Sequence, residues 1–249
     1  MIAVISDIHG NLEALEAVLA DVDRHSVERL YCLGDIVGYG PNPKECVDLV
    51  SSRCGLSVLG DFESMLWDGP SEGSSEEQRA AVEWTRRQLN NMPTPGTDSD
   101  SRWEFLWSLR RSFVEGSFLF AHGSPREPTF EYVFPEDQYN RRKMEALFNC
   151  FESYCIVGHT HLPGVFPSVE QFVRPEDCEL EFKLKSTKAL INVGSVGQPR
   201  DGDLRASYVL LDENRVVFRR VDYDIDTTIR KIRGMPKCSR RALALFGGI

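Results

Sequence analysis

Within the first sixty residues, short apolar runs alternate with stretches of helical spacing, and this alternation constrains the fold more than any other feature. Ile2 to Ile5 reads as a buried strand. Asn11 is placed to cap a helix whose apolar positions Leu12, Leu15, Val18 and Leu19 recur at helical spacing. Arg29 to Leu33 predicts a second strand, Pro43 to Ser52 a second helix, and Leu56 to Leu59 a third strand. Strand–helix–strand–helix–strand implies parallel pairing with right-handed crossovers.

Further along, Ser117 to Ala121 and Ser153 to Val157 predict two more strands, with a helix from Glu136 to Phe148 between them. Residues 68–78 and 91–101 are Gly/Pro/Ser-rich and read as surface loops around a helix at Ala80 to Leu89. Trp84, Trp103 and Trp107 fall at helical spacing, as core residues do. From Val165 the pattern changes to strands joined by turns, at 179–184, 189–193, 206–212 and 215–221, with a last helix after Asp224. The strand pattern resumes after each loop, so residues 1–249 are expected to form one domain.

The turns after these strands carry the chemistry. Asp7-Ile8-His9 follows the first strand, Gly34-Asp35 the second and Gly60-Asp61 the third. His122-Gly123 and Gly158-His159-Thr160-His161 follow the later two. Four of the five histidines therefore sit at strand-end turns; His25, at the end of the first helix, reads as a solvated surface residue. Ligand sites in α/β sheets collect at this edge. Three aspartates and four histidines form a mixed oxygen and nitrogen set suited to Mn, Fe, Co, Ni or Zn. Seven ligands exceed what one tetrahedral ion takes. Two ions sharing a carboxylate is the simpler account, and such a pair can hold an attacking hydroxide while clamping a phosphoryl oxygen.

The net charge of −9 supplies no cationic excess for broad nucleic-acid binding, and a protein this acidic needs a local source of positive charge to handle phosphate. The seven cysteines are scattered without a Cys-x-x-Cys pair, as expected of free thiols in a reducing compartment. The opening MIAVISD has no basic n-region, and no run approaches a membrane span. A cytoplasmic location without membrane association is the expectation.

Asp7-x-His9, Gly34-Asp35, Gly60-Asp61, His122-Gly123 and Gly158-His159-Thr160-His161 occur in the order of the calcineurin-like metallophosphoesterases, which the chain resembles over nearly its whole length. Gly38-Tyr39-Gly40-Pro41-Asn42-Pro43 and Asn192-x-Gly194-Ser195-Val196-Gly197-Gln198-Pro199-Arg200-Asp201 resemble the compact bacterial and archaeal branch, related to small phosphodiesterases. The resemblance implies a four-layer α/β/β/α sandwich of two mixed sheets with two divalent transition-metal ions at the sheet edges. It implies that Asp7, His9 and His161 hold one ion, that Asp61, His122 and His159 hold the other, and that Asp35 bridges them. Asp35, His122 and Arg200 are the residues expected to carry catalysis on a small phosphodiester or nucleotide-type ester. A protein phosphatase, or a metal-binding scaffold or sensor with little turnover, are the alternatives.

At residues 60–63 the family pattern is Gly-Asn-His-Asp/Glu, whereas this chain has Gly-Asp-Phe-Glu. Asp61 can replace the amide oxygen of Asn with a carboxylate oxygen, at the cost of a less positive centre; its other reading is a plain turn residue. Phe62 stands where the family has a histidine thought to contact phosphate and assist the leaving group. It has no proton to give, and a general acid is typically worth about 10²–10⁴ in rate. Two readings of Phe62 stand: a stacking wall for a substrate base, or the mark of a slow site. Arg200 likewise has two, a guanidinium fork for phosphate or a salt bridge to Asp201 or Asp203. Tyr39 and Asn42 either line the pocket or shape their loop.

Overall fold

The computed structural model describes residues 1–89, 100–185 and 187–235. The first six strands are β1 (Ile2–Ile5), β2 (Arg29–Cys32), β3 (Leu56–Ser57), β4 (Ser112–Glu115), β5 (Phe118–Ala121) and β6 (Tyr154–Val157). The other six are β7 (Gly164–Ser168), β8 (Gln171–Val173), β9 (Glu181–Lys183), β10 (Ala189–Asn192), β11 (Ala206–Leu211) and β12 (Arg215–Val221). They form two six-stranded mixed sheets, ordered β3-β2-β1-β11-β12-β9 and β4-β5-β6-β10-β7-β8. The strands that precede the chemistry-bearing turns pair in parallel: β1 with β2, β2 with β3, and β5 with β6. The C-terminal strands pair antiparallel onto this frame, β11 against β1 and β12 against β11.

Period-two alternation along the strands divides the apolar residues among three layers. Ala3 and Ile5 pack with helices on the outer face of the first sheet, while Val4 between them faces the second sheet. Tyr31 and Leu33 alternate with Leu30 and Cys32 in the same way. In the second sheet, Tyr154 and Ile156 face the first sheet, while Cys155 and Val157 meet Met144 and Leu147 from a helix on the far side. One core between the sheets and one outside each of them is the packing of an α/β/β/α sandwich.

The seven α-helices among the described residues are α1 (Leu12–Val22), α2 (Pro43–Arg53), α3 (Asp61–Asp68), α4 (Glu76–Gln88), α5 (Asp100–Ser108), α6 (Arg141–Phe148) and α7 (Ile225–Gly234). Their starts are encoded locally. The Asn11 side chain accepts from Ala14 N, Ser75 and Gln78 exchange bonds in a capping box, and the Asp224 carboxylate accepts from Thr227 N. The helix expected over 136–148 is two pieces: a 3-10 turn at Pro135–Tyr139, then α6, whose first turn is capped by Asn140 accepting from Lys143 N. The Asn140 side chain competes with helix continuation and wins. The expected loop 68–78 begins only after α3, and the expected loop 91–101 lies largely outside the described residues, as does Cys238. Among the described residues, no helix is long and apolar enough to cross a membrane.

Candidate metal centre

All seven residues expected as ligands reach the same edge of the two sheets, and all are buried. Asp7 and His9 follow β1, Asp35 follows β2, Asp61 opens α3 after β3, His122 follows β5, and His159 and His161 follow β6. Their side-chain donor atoms form two groups. Asp7, His9 and His161 make one; Asp35, Asp61, His122 and His159 make the other. Asp35 lies between them. Its Oδ2 is 3.6 Å from His9 Nε2, and its Oδ1 is 3.7 Å from His122 Nε2.

Local backbone explains how such short turns gather so many side chains. Asp7, His9, Asp35, His159 and His161 all take positive φ, between 49° and 66°. L-residues visit this region at a cost, and such residues concentrate at functional sites. The two Gly-Asp turns touch each other: a Cβ on Gly34 would stand 2.4 Å from Gly60 N, and one on Gly60 would stand 2.2 Å from Asp35 Oδ1. Glycine is what lets them meet. Glu63 then ties the two turns together. Its Oε2 accepts from Asp35 N (2.8 Å) and Gly60 N (3.1 Å), and its Oε1 accepts from Val37 N (3.0 Å).

The last residue of β10 and the segment after it perform the same service for the other turns. Asn192 Nδ2 donates to the carbonyl of Gly158, Ser195 Oγ donates to that of Asp7, and Gly197 N donates to that of Asp7.

The hydrogen bonds of the imidazoles decide which nitrogens face inward. A carbonyl oxygen only accepts, so His122 Nδ1 donates to Leu33 O (2.7 Å) and leaves Nε2 as a lone pair. His159 Nε2 donates to Phe130 O (3.3 Å) and leaves Nδ1 as a lone pair. These two lone pairs face each other at 2.9 Å, a contact that only a cation or a shared proton makes favourable. His161 Nδ1 donates to Gln198 O (2.5 Å), so its Nε2 turns to His9 Nε2 at 3.1 Å and to Asp7 Oδ1 at 3.2 Å. Backbone carbonyls behind the rings are the usual means of orienting metal-binding histidines.

The carboxylates are equally short of positive partners. Among the described residues, no lysine or arginine pairs with Asp7, Asp35 or Asp61, and Asp7 Oδ1 and Asp61 Oδ1 have no hydrogen-bond donor. Burial, followed by the charges of Asp61, Glu63 and Asp7, pushes Asp35 well above the usual carboxylate range. Burial opposes ionisation of Asp7 and Asp61 as well, but the neighbouring histidines hold both below that range. Burial, helped by His122, lowers His159 to about 4, and burial with His161 lowers His9. A set of imidazoles and crowded carboxylates is chemically matched to divalent cations. The ligand-atom spacings resemble the roughly 3–3.5 Å edges expected around an ion with bonds of about 2.1 Å. The donor set therefore fits such ions.

Other expected residues fall differently. Asn42 Oδ1 accepts from Lys231 on α7 and so faces away from the centre. Tyr39 is buried edge-on to Phe62, with ring centroids 4.8 Å apart, and 5.3 Å from the His9 ring. Phe62 is only 3% exposed and meets the His9 ring edge-on at 5.1 Å, which leaves it no free face as a stacking platform. Neither salt bridge considered for Arg200 forms: Asp201 pairs with Arg220 and Asp203 with Arg205, while Arg200 Nη2 donates to Gln198 Oε1 (2.8 Å). Arg200 is exposed, and its charge is among the causes that lower His9. Of the tryptophans, Trp103 is fully buried, whereas Trp107 is 51% exposed. His25 is partly exposed, 3.7 Å from Asp21. Tyr132, unremarked in the sequence, stacks on His159 at 3.7 Å and 16°. It lies in an irregular segment with no periodic pattern to draw attention to it.

This arrangement of two sheets with histidines and aspartates at their shared edge defines a metal-binding phosphoesterase frame. The family model described as the calcineurin-like phosphoesterase superfamily domain matches residues 1–215, and the chain belongs to that family. It is 38% identical over 243 residues to an uncharacterised protein of Methanocaldococcus jannaschii, covering 93% of this chain and 91% of the relative. A crystal structure of a metallophosphoesterase from Sphaerobacter thermophilus superposes with a TM-score of 0.80 at 36% identity, over 100% of this chain and 98% of that one. A hypothetical protein from Pyrococcus horikoshii shares the fold, with a TM-score of 0.74 at 20% identity and full coverage of both chains.

Proposed function

We propose that this protein hydrolyses a small phosphate ester, a phosphodiester or nucleotide-type compound, with two divalent transition-metal ions. The observation that carries this reading is the placement of Asp35, one oxygen beside each of the two donor groups. Asp7, His9 and His161 would hold one ion, Asp61, His122 and His159 the other, and Asp35 would be shared. Two such ions supply charge for a phosphoryl oxygen and acidify a water for attack. Arg200, at the exposed rim, offers the guanidinium fork that matches phosphate oxygens.

Phe62 gives the reaction a particular character. It takes the position of the family's histidine, and buried between His9 and Tyr39 it supplies no proton to the departing alcohol. Esters whose leaving groups are already stable as anions suffer least from this. The same packing of Phe62 favours a second reading, a metal-binding protein with little turnover.

One experiment separates the two. Metal content is measured after loading with Mn, Ni, Co, Zn or Mg, and the same samples are assayed with bis(4-nitrophenyl) phosphate and 4-nitrophenyl phosphate. Close to two ions per chain with metal-dependent turnover is the expected result. Two ions without turnover on either ester would favour the scaffold. Loading near zero would overturn the site assignment.

A further inference from the structure

Beside Asp61 and His159 lies a cavity of about 430 Å³, and it is built unlike the centre it adjoins. Its size falls within the roughly 300–1,000 Å³ of small-molecule sites. Phe130, Tyr132 and Met65 supply apolar lining, and Asp68, Ser71 and Gln78 supply polar lining. Phe130 is 47% exposed, an apolar ring left in water at the mouth of a cleft. Its position relative to the centre is fixed, because its own carbonyl accepts from His159 Nε2. Tyr132 is held just as firmly, stacked on His159 and, on its other face, on Phe134 at 5.2 Å and 9°. The turn at Ser71, which also lines the cavity, is braced by Arg79, which donates to the carbonyls of Ser71, Glu72 and Ser74.

The charges at this cavity are as informative as its rings. Among the described residues that line it there is no lysine or arginine, Arg79 behind the Ser71 turn is engaged by three backbone carbonyls, and Asp61 and Asp68 contribute carboxylates. A second phosphate on the substrate would find no partner there. Flat rings and hydroxyl or amide groups would find both an aromatic wall and hydrogen-bonding partners. A larger hollow of about 670 Å³ at Leu162, Phe172 and Arg174 contains none of the seven candidate ligands, and Arg174, Asp201 and Asp203 there are already paired.

From these features we infer that the cavity beside Asp61 and His159 seats one substituent of the ester, and that it selects a neutral, ring-bearing, hydroxylated group of the nucleoside class. The inference rests on the phosphoesterase reading above and adds to it where the organic part of the substrate lies. Phe130, for the apolar lining, and Gln78, for the polar lining, are the specificity-determining residues.

The test compares two esters with the same leaving group, thymidine 5′-(4-nitrophenyl) phosphate and methyl 4-nitrophenyl phosphate, on manganese-loaded protein. The expected kcat/KM ratio favours the thymidine ester at least tenfold, and Phe130→Ala and Gln78→Ala each lower that ratio, Phe130→Ala by fivefold or more. A ratio near one in the unmodified protein, or a ratio unchanged in both variants, would overturn the inference. If neither ester is turned over, the phosphoesterase reading fails on its own test, and calorimetry still decides the cavity. Thymidine 5′-monophosphate binding at least tenfold tighter than inorganic phosphate supports it; equal affinities refute it.

Discussion

Two groups of buried carboxylates in this molecule face opposite situations. Asp21, at the end of α1, is covered by β11 and β12 but accepts from the Tyr208 hydroxyl at 2.8 Å and from the Arg219 guanidinium at 3.1–3.3 Å. Asp7, Asp35 and Asp61 lie at least as deep, yet among the described residues the basic side chains beside them are histidines. The first arrangement is closed: the fold supplies its own counter-charge. The second is open, with negative charge and imidazole lone pairs gathered around a space that protein groups do not neutralise. Burying charge without a partner costs stability, so the open cluster is where the fold gives up stability, as sites kept for a ligand do.

The strongest test of that contrast is the same substitution at both places. Asp35→Asn removes one charge from the open cluster. Metal affinity and turnover should fall by more than the about 10–100-fold typical of changes just outside a ligand sphere. The metal-free protein, however, should gain about 1 kcal/mol, read as a raised Tm in chelator. A lowered Tm there would break the comparison, because it would mean that Asp35 is structurally satisfied as Asp21 is.

A smaller effect is expected from Phe62→His, which places an ionisable donor against His9 inside the open cluster. Activity on esters with poor leaving groups should rise by about tenfold or more, and on activated aryl esters by less. Equal gains on both would indicate that the residue acts through binding rather than as an acid.

The closed pair is tested through stability and its pH dependence. Burial works against ionisation of Asp21, but the Tyr208 hydrogen bond and the Arg219 charge outweigh it, so its carboxyl is held below the usual carboxylate range. A carboxylate with a depressed folded-state pKa stabilises the fold fully above its unfolded value, near 4, and loses that contribution as pH falls through the folded value. Asp21→Asn should therefore cost about 2 kcal/mol at pH 7, and the gap in Tm from the unmodified protein should narrow below about pH 4. A gap that is constant from pH 7 to pH 3 would show that shape, not charge, is what Asp21 supplies.

The open cluster was far more legible in the sequence than the closed pair or the cavity. Each of its residues follows an apolar strand, and strands of parallel sheets announce themselves by run length and composition. Asp21 sits on a regular helix, and its partner Arg219 is almost two hundred residues away; nothing local distinguishes it. Glu63 was visible as part of the Gly-Asp-Phe-Glu stretch, but its function depends on three backbone amides from two different turns. Among the elements, α3, α5, β4, β7 and β8 escaped notice. Strands of three to five residues at a sheet margin carry too little pattern, and Pro167 inside β7 reads as a turn signal. The split at Asn140 was hidden because the cap that divides the segment is a single side-chain bond.

Glu63 also bears on timing. Because its carboxylate holds the turns of Asp35 and Asp61 in register through backbone amides, the cradle is assembled by the folding of the chain and does not wait for an ion to draw it together. Capture of an ion should then be limited by the shedding of that ion's own hydration water, with little conformational entropy lost on arrival. Amide hydrogens of Asp35, Val37 and Gly60 would exchange slowly even in chelator, as in a vessel that keeps its shape when empty.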